Sequence, residues 1–152
     1  MPLTFETTAI TTAPAEQIFK HLAVAEAWNE WGPFPTRSRR ERAGAERLNG
    51  VGAIRKIPPA REEVVAYEPS SHYAYIALSG LPVRSYRADV RLEPRAGNTQ
   101  IRWSAEFEPR FPGTGALTRF AVRALLTSLA RRLARHVERC EPGCPARLPD
   151  VV

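Results

Sequence analysis

The chain has 152 residues, of which 43% are apolar and 25% charged, with a formal net charge of +6. That balance fits one globular domain and excludes a disordered chain; at this length a domain buries roughly 70% of its unfolded surface, enough for a core without disulfides. Of the 22 basic residues only Lys20 and Lys56 are lysines, and the arginines are dense only at 37–42 and 131–139, a pattern that reads as solvated surface rather than a nucleic-acid site.

Leu3 to Thr11 is rich in β-branched residues and predicts a strand. Pro14 suits a first helical turn and Glu16 complements the helix dipole, so the stripe Ile18, Phe19, Leu22 predicts a short helix over 14–24. A second short helix over 25–31 carries Trp28 and Trp31 three residues apart on one face, as packing residues, and Gly32-Pro33-Phe34-Pro35 ends it. The period then changes from about 3.6 to 2. Strands are predicted at 37–47, 51–57, 62–68 and 72–78, with Pro58-Pro59 and Pro69-Ser70-Ser71 between them.

Two later strands alternate cleanly. In 83–93, Tyr86, Ala88, Val90 and Leu92 share one face; in 99–108, Ile101, Trp103, Ala105 and Phe107 do. Such alternation predicts an antiparallel sheet with one buried and one wet face, and Arg95-Ala96-Gly97-Asn98 supplies hairpin chemistry. After Pro112-Gly113, Thr114 is placed to cap a long helix reaching about Arg139. Val122, Leu125, Leu126, Leu129, Leu133 and Val137 form its apolar face, and Arg131, Arg135 and Arg139 another. The greasiest stretch, 117–133, is broken by four arginines, so no membrane-spanning helix is expected. With no basic and apolar leader at the N-terminus, a cytoplasmic location is expected.

One antiparallel sheet of seven strands, with two short helices after the first strand and a long amphipathic helix at the end, is an α+β domain. The sheet can curve around the last helix, and the space between them is either core or pocket. The segments Ala13-Pro14-Ala15-Glu16-Gln17-Ile18-Phe19, Trp28-Asn29-Glu30-Trp31, Gly50-Val51-Gly52-Ala53-Ile54-Arg55, Tyr67-Glu68-Pro69 and Thr99-Gln100-Ile101-Arg102-Trp103, in this order, resemble the START-like helix-grip (SRPBCC) superfamily. Within it the chain is most similar to the polyketide cyclase/dehydrase and lipid-transport family of bacteria. The resemblance implies a helix-grip domain over residues 1–139, a flexible tail over 140–152, and a small hydrophobic ligand (a lipid, a polyketide or similar) between sheet and long helix. It also leaves room for a cyclase or dehydratase acting on a poly-β-ketone in the same cavity, and for a protein- or nucleic-acid-interaction module.

Candidate ligand-binding residues follow from parity and chemistry. Arg55 shares parity with Val51, Ala53 and Ile57, and Arg84 with Tyr86. A guanidinium on an apolar face holds a ligand oxygen, makes an internal ion pair with Glu63 or Glu68, or snorkels to water at the sheet edge. Tyr67, Tyr75, Tyr86 and Trp103 combine apolar bulk with a donor, as an amphipathic pocket needs, and Phe107, Leu126 and Leu129 supply its apolar wall. The face of Tyr73 and Tyr75 depends on the length of the preceding turn and stays open. In the enzyme reading Arg55, Arg84 and Tyr86 stabilise an enolate oxygen, with His72 or a carboxylate moving protons. The Gly50-Val51-Gly52 turn lacks the Lys-Ser/Thr ending of a phosphate loop. His21, His72 and His136 fall on different elements without a metal-binding spacing, so neither a metal nor a cofactor is expected. Cys140 and Cys144, in the tail, read as free thiols. Nucleic acid is not expected as a partner.

Overall fold

The computed structural model describes residues 2–33 and 37–147. Its strands are β1 (Leu3–Thr11), β2 (Arg39–Arg42), β3 (Ile54–Ile57), β4 (Ala60–Glu68), β5 (His72–Ser79), β6 (Val83–Arg95) and β7 (Asn98–Pro109). The helices are α1 (Ala15–Ala23), α2 (Trp28–Trp31) and α3 (Gly115–Val137), with 3-10 turns at Ala25–Ala27 and Pro145–Arg147. All seven strands form one antiparallel sheet in the order β1-β7-β6-β5-β4-β3-β2. The chain leaves β1, crosses to the far edge through α1 and α2, then meanders back until β7 pairs with β1 from Leu3↔Phe107 to Thr11↔Thr99. This is the α+β architecture that the alternation and element order predicted, and the helix grip that the resemblance implied.

The inward residues of β6 and β7 are buried as their parity requires, under Leu126, Leu129, Leu133 and Val137 of α3. Each such side chain contributes roughly 1.5–3 kcal/mol by leaving water. The β6–β7 hairpin turns through Ala96 (φ 47°) and Gly97 (φ 87°), the paired positive φ values that match the twist of adjoining strands. Trp28 and Trp31 do pack, with ring centroids 4.4 Å apart. Their indole N–H groups also donate to the carbonyls of Leu22 (3.1 Å) and His21 (3.2 Å), orphan acceptors in the last turn of α1. At the other end of the grip, Glu138 Oε1 accepts from the Thr12 backbone N–H at 2.9 Å and lies 3.0 Å from Thr11 Oγ1, tying the end of α3 to β1.

Several expectations are corrected. The predicted strands at 37–47 and 51–57 shrink to β2 and β3. The chain between them folds onto itself through Gly44 N–H to Leu48 O, Gly50 N–H to Arg47 O and Ala45 N–H to Val51 O. Thr114 does not cap α3 with its side chain; its hydroxyl turns back to the Phe111 carbonyl at 2.6 Å. Residues 140–147 do not behave as a loose tail: Cys140, Cys144 and Ala146 are buried against Ala27 and Val24. Phe34 and Pro35 of the predicted turn, and tail residues 148–152, lie outside the described residues. Among the described residues no helix is long and apolar enough to cross a membrane.

The β5–β6 turn rests on Gly80, whose φ is +93° and where a Cβ would lie 1.9 Å from the Pro59 carbonyl oxygen. Both the backbone conformation and the space demand glycine. Gly80→Ala is expected to lower unfolding free energy by about 2–3 kcal/mol, measured by urea titration. A loss below about 0.5 kcal/mol would show that the turn relaxes freely.

Candidate ligand cleft and the buried arginine

An apolar cleft of about 340 Å³ opens at one end of the grip, between the N-terminal half of α3, the β5–β6 turn and the linker after β7. Leu81, Pro82 and Val83 form one wall; Leu117, Val122 and Leu125 of α3 form the other. Phe111 and Leu117 at its mouth are 60% and 71% exposed, and Phe120, one helical turn beyond Leu117, is 69% exposed. Phe111 and Leu117 are large apolar side chains held in water at one opening, while Phe120 borders a separate hollow with Arg123 and Ala124. The polar groups of the cleft are few: the hydroxyls of Thr114, Thr118 and Tyr86. Thr118 Oγ1 donates to the Thr114 carbonyl at 2.8 Å, keeping its acceptor lone pairs free.

Beyond the cleft the interior is filled. Trp103, Phe107, Leu126 and Leu129, expected along a pocket wall, are core residues with at most 3% exposure. Of the expected ligand-binding residues, Tyr86 alone lines the cleft. Tyr73 and Tyr75 both face inward and are buried, resolving the ambiguity of the β4–β5 turn. Tyr67 is half-buried and outside the cleft lining, edge-on to Phe19 (5.0 Å) and beside the surface hollow of Arg47 and Val51. The residues that make the cleft, Leu81, Val83, Phe111 and Leu117, were missed. The one signal available was apolar Leu117 and Phe120 lying off the main apolar face of the helix, with Phe111 just before it.

The two arginines separate. Arg84 is exposed because a β-bulge intervenes: Arg84 pairs with Glu108 and Arg87 with Glu106, so Ser85 and Tyr86 of β6 oppose the single residue Phe107 of β7. Ser85 (φ 52°) absorbs the extra residue and turns Arg84 to the wet face. Arg55 stays inward and is 1% exposed. Its Nε donates to Glu62 Oε1 at 3.1 Å and its Nη1 to the Leu22 carbonyl. The guanidinium carbon lies 4.9 Å from the Trp28 ring, 5.0 Å from Tyr73 and 5.1 Å from Tyr75. The partner is therefore Glu62, directly opposite in the β3–β4 register, rather than Glu63 or Glu68.

Burial pushes the Glu62 carboxyl up, and the guanidinium beside it pulls it only part of the way back. Burial likewise raises the Tyr73, Tyr75 and Tyr86 phenols far above their ordinary range, so all three are neutral donors. The Tyr73 hydroxyl is buried without a hydrogen-bond partner among the described residues, whereas the Trp103 indole N–H faces the Tyr75 hydroxyl and partly opposes the effect of burial on that phenol. His72 lies on the outer face, 2.7 Å from Asp89, and not at the cleft. The other two histidines do not stay apart as expected. The packing of α1 against the end of α3 brings His21 and His136 together with Cys140 and Cys144.

Comparison with known proteins agrees with this architecture. The chain is 27% identical over 143 residues to uncharacterised proteins of Mycobacterium tuberculosis and Mycobacterium bovis, covering 91% of this chain and 84% of theirs. Among solved structures it is similar to a START superfamily protein from Mycobacterium smegmatis, with TM-score 0.77, 16% identity, and coverage of 91% of this chain and 99% of the other. Norcoclaurine synthase from Thalictrum flavum, solved with dopamine and hydroxybenzaldehyde, shares the fold at TM-score 0.68 and 16% identity, over 93% and 89% of the two chains. The family model described as polyketide cyclase/dehydrase and lipid transport matches residues 2–138. A seven-stranded sheet gripping one long helix, and a family model matched from the first strand to the last turn of that helix, make this chain a member of the polyketide cyclase/dehydrase and lipid-transport family.

Proposed function

We propose that the protein binds a small, mostly apolar molecule in the cleft between α3 and the β5–β6 turn. The observation that carries this reading is the cleft itself: about 340 Å³ with an almost wholly apolar wall and a mouth of exposed Phe111 and Leu117. That volume is at the lower end of the range for small-molecule sites, about 300–1,000 Å³. It suits a compact hydrophobic compound or one end of a longer chain, with any polar atom meeting the hydroxyl of Thr114, Thr118 or Tyr86. No carboxylate, imidazole or guanidinium lines the cleft among the described residues. Arg55, assigned above to enolate stabilisation, is committed to Glu62 and Leu22, and Arg84 faces water. Proton transfer within the cleft therefore has no general acid–base pair, which favours carriage or sensing over ring closure.

The test is native mass spectrometry of freshly purified protein, with extraction of any retained compound. Its back-titration would be followed by chemical shifts of Val122, Leu125 and Tyr86. A stoichiometric apolar compound perturbing those three residues is the expected result. Saturable binding that leaves them unperturbed, or no binding across a panel of fatty acids, aromatic polyketides and terpenoids, would overturn the assignment.

A further inference from the structure

We propose that His21, His136, Cys140 and Cys144 form a closed four-ligand site for a divalent transition metal, with Zn²⁺ the ion of matching chemistry. The site is independent of the apolar cleft, since it lies at the opposite end of α3. One candidate ligand atom from each of the four residues falls in a group whose members all lie within 4.8 Å of one another. His21 Nε2 is 3.2 Å from Cys140 Sγ and 3.6 Å from Cys144 Sγ, and His136 Nε2 is 3.8 Å from Cys144 Sγ. A tetrahedral ion with bonds of about 2.3 Å to sulfur and 2.0–2.1 Å to nitrogen requires N···S separations of about 3.5 Å. These three separations are thus within a few tenths of an ångström of coordination, and the other three pairs of candidate ligand atoms lie within 4.8 Å.

The surroundings prepare these atoms. His21 Nδ1 lies 2.8 Å from the Gln17 carbonyl, which can only accept, so Nδ1 carries the proton and the Nε2 lone pair faces the two sulfurs. A histidine whose second nitrogen donates to a backbone carbonyl is the usual outer-shell support of a metal ligand. Two thiols and two imidazoles make a borderline-soft donor set, suited to zinc and not to magnesium or calcium. On binding, each cysteine gives its S–H proton to solvent and both histidines coordinate as neutral rings. Two thiolates then cancel the charge of the dication. The nearby charges, Arg147 and Glu30, are of opposite sign and leave that balance unchanged.

Four protein ligands leave no open position, so the role is structural. Among the described residues beyond α3, only Cys140, Cys144 and Ala146 are buried, against Ala27 and Val24. That is too little apolar surface to hold it by itself, whereas a metal joining α1, the last turn of α3 and both cysteines would clamp it in place.

The experiment uses the full chain expressed with added zinc and purified under reducing conditions, with metal content measured by plasma mass spectrometry. One zinc per chain is expected, falling below about a tenth of that in Cys144→Ser and His21→Gln. Cobalt(II) added to the stripped wild-type protein should give intense tetrahedral ligand-field bands and a thiolate-to-metal charge-transfer band. This readout needs no variant to fold. Chelation should expose the chain after Arg139 to trypsin, and zinc should restore protection. A weak octahedral cobalt spectrum, zinc content unchanged in both variants, or a Cys140–Cys144 disulfide in protein isolated with reductant would each overturn the proposal.

Discussion

Replacing Arg55 with methionine is expected to lower unfolding free energy by about 3–5 kcal/mol, the cost of leaving one charge of a buried pair without its partner. Arg55 and Glu62 are 1% and 6% exposed, and the guanidinium is the hub for a backbone carbonyl of α1, the ring of Trp28 and two tyrosines of β5. Arg55→Lys keeps the charge but loses the planar group that three rings enclose, so it should fall between wild type and Arg55→Met. Combining Arg55→Met with Glu62→Gln should recover a large part of the deficit, because the orphaned carboxylate is its main source.

The pH dependence follows from the same group. Burial raises the folded-state pKa of Glu62 above its ordinary 4.5, and without Arg55 nothing opposes that rise. The folded state then binds a proton that the unfolded chain does not. The deficit of Arg55→Met should therefore shrink as pH falls from above the raised value toward 4.5. Urea titrations across that window decide the matter. A single-variant loss under about 1 kcal/mol, independent of pH, would mean that Glu62 reaches water in the variant.

Filling the cleft should abolish binding and leave the fold alone. Ala121 lines the cleft from α3 and is itself exposed, so Ala121→Trp adds an indole to the opening without displacing core atoms. Affinity for the retained compound, or for an environment-sensitive apolar dye, should fall at least about a hundredfold, since a blocked pocket forfeits nearly all of its contacts. Unfolding free energy should move by no more than about 0.5 kcal/mol, as for a surface substitution. Phe120→Ser, exposed on α3 and outside the cleft wall, is the comparison variant: it removes exposed apolar surface but should weaken binding far less. Equal binding by wild type and Ala121→Trp would place the ligand elsewhere.

The cleft and the arginine show why the grip is nearly solid here. Phe19, Trp28, Trp31, Tyr73 and Trp103 project into the space between α1, α2 and the sheet. Close packing of such large rings fills that space, and the cleft opens beyond it, where Val83, Ala121 and Val122 are among the lining residues. The same ring cluster provides the negative faces that a buried guanidinium needs, so Arg55 belongs to the scaffold beneath the cleft rather than to its wall.

The element order, the antiparallel pairing, the inward faces of β6, β7 and α3, and the inward position of Arg55 were all legible in the chain itself. Each depends on a local period, two residues for a strand and about 3.6 for a helix, that any buried face must obey. Three features had no such signature. The bulge at Ser85 shifted parity by one residue and sent Arg84 outward, and only the pairing of β6 with β7 reveals it. The cleft arises where two elements fail to touch, a property of shape and not of any one segment. His136, Cys140 and Cys144 stand four residues apart, but their fourth companion, His21, lies on α1 and arrives only when that helix docks against the end of α3. Local periodicity decided which faces are buried; tertiary packing decided what those faces meet, because contacts between distant segments leave no repeat in the sequence.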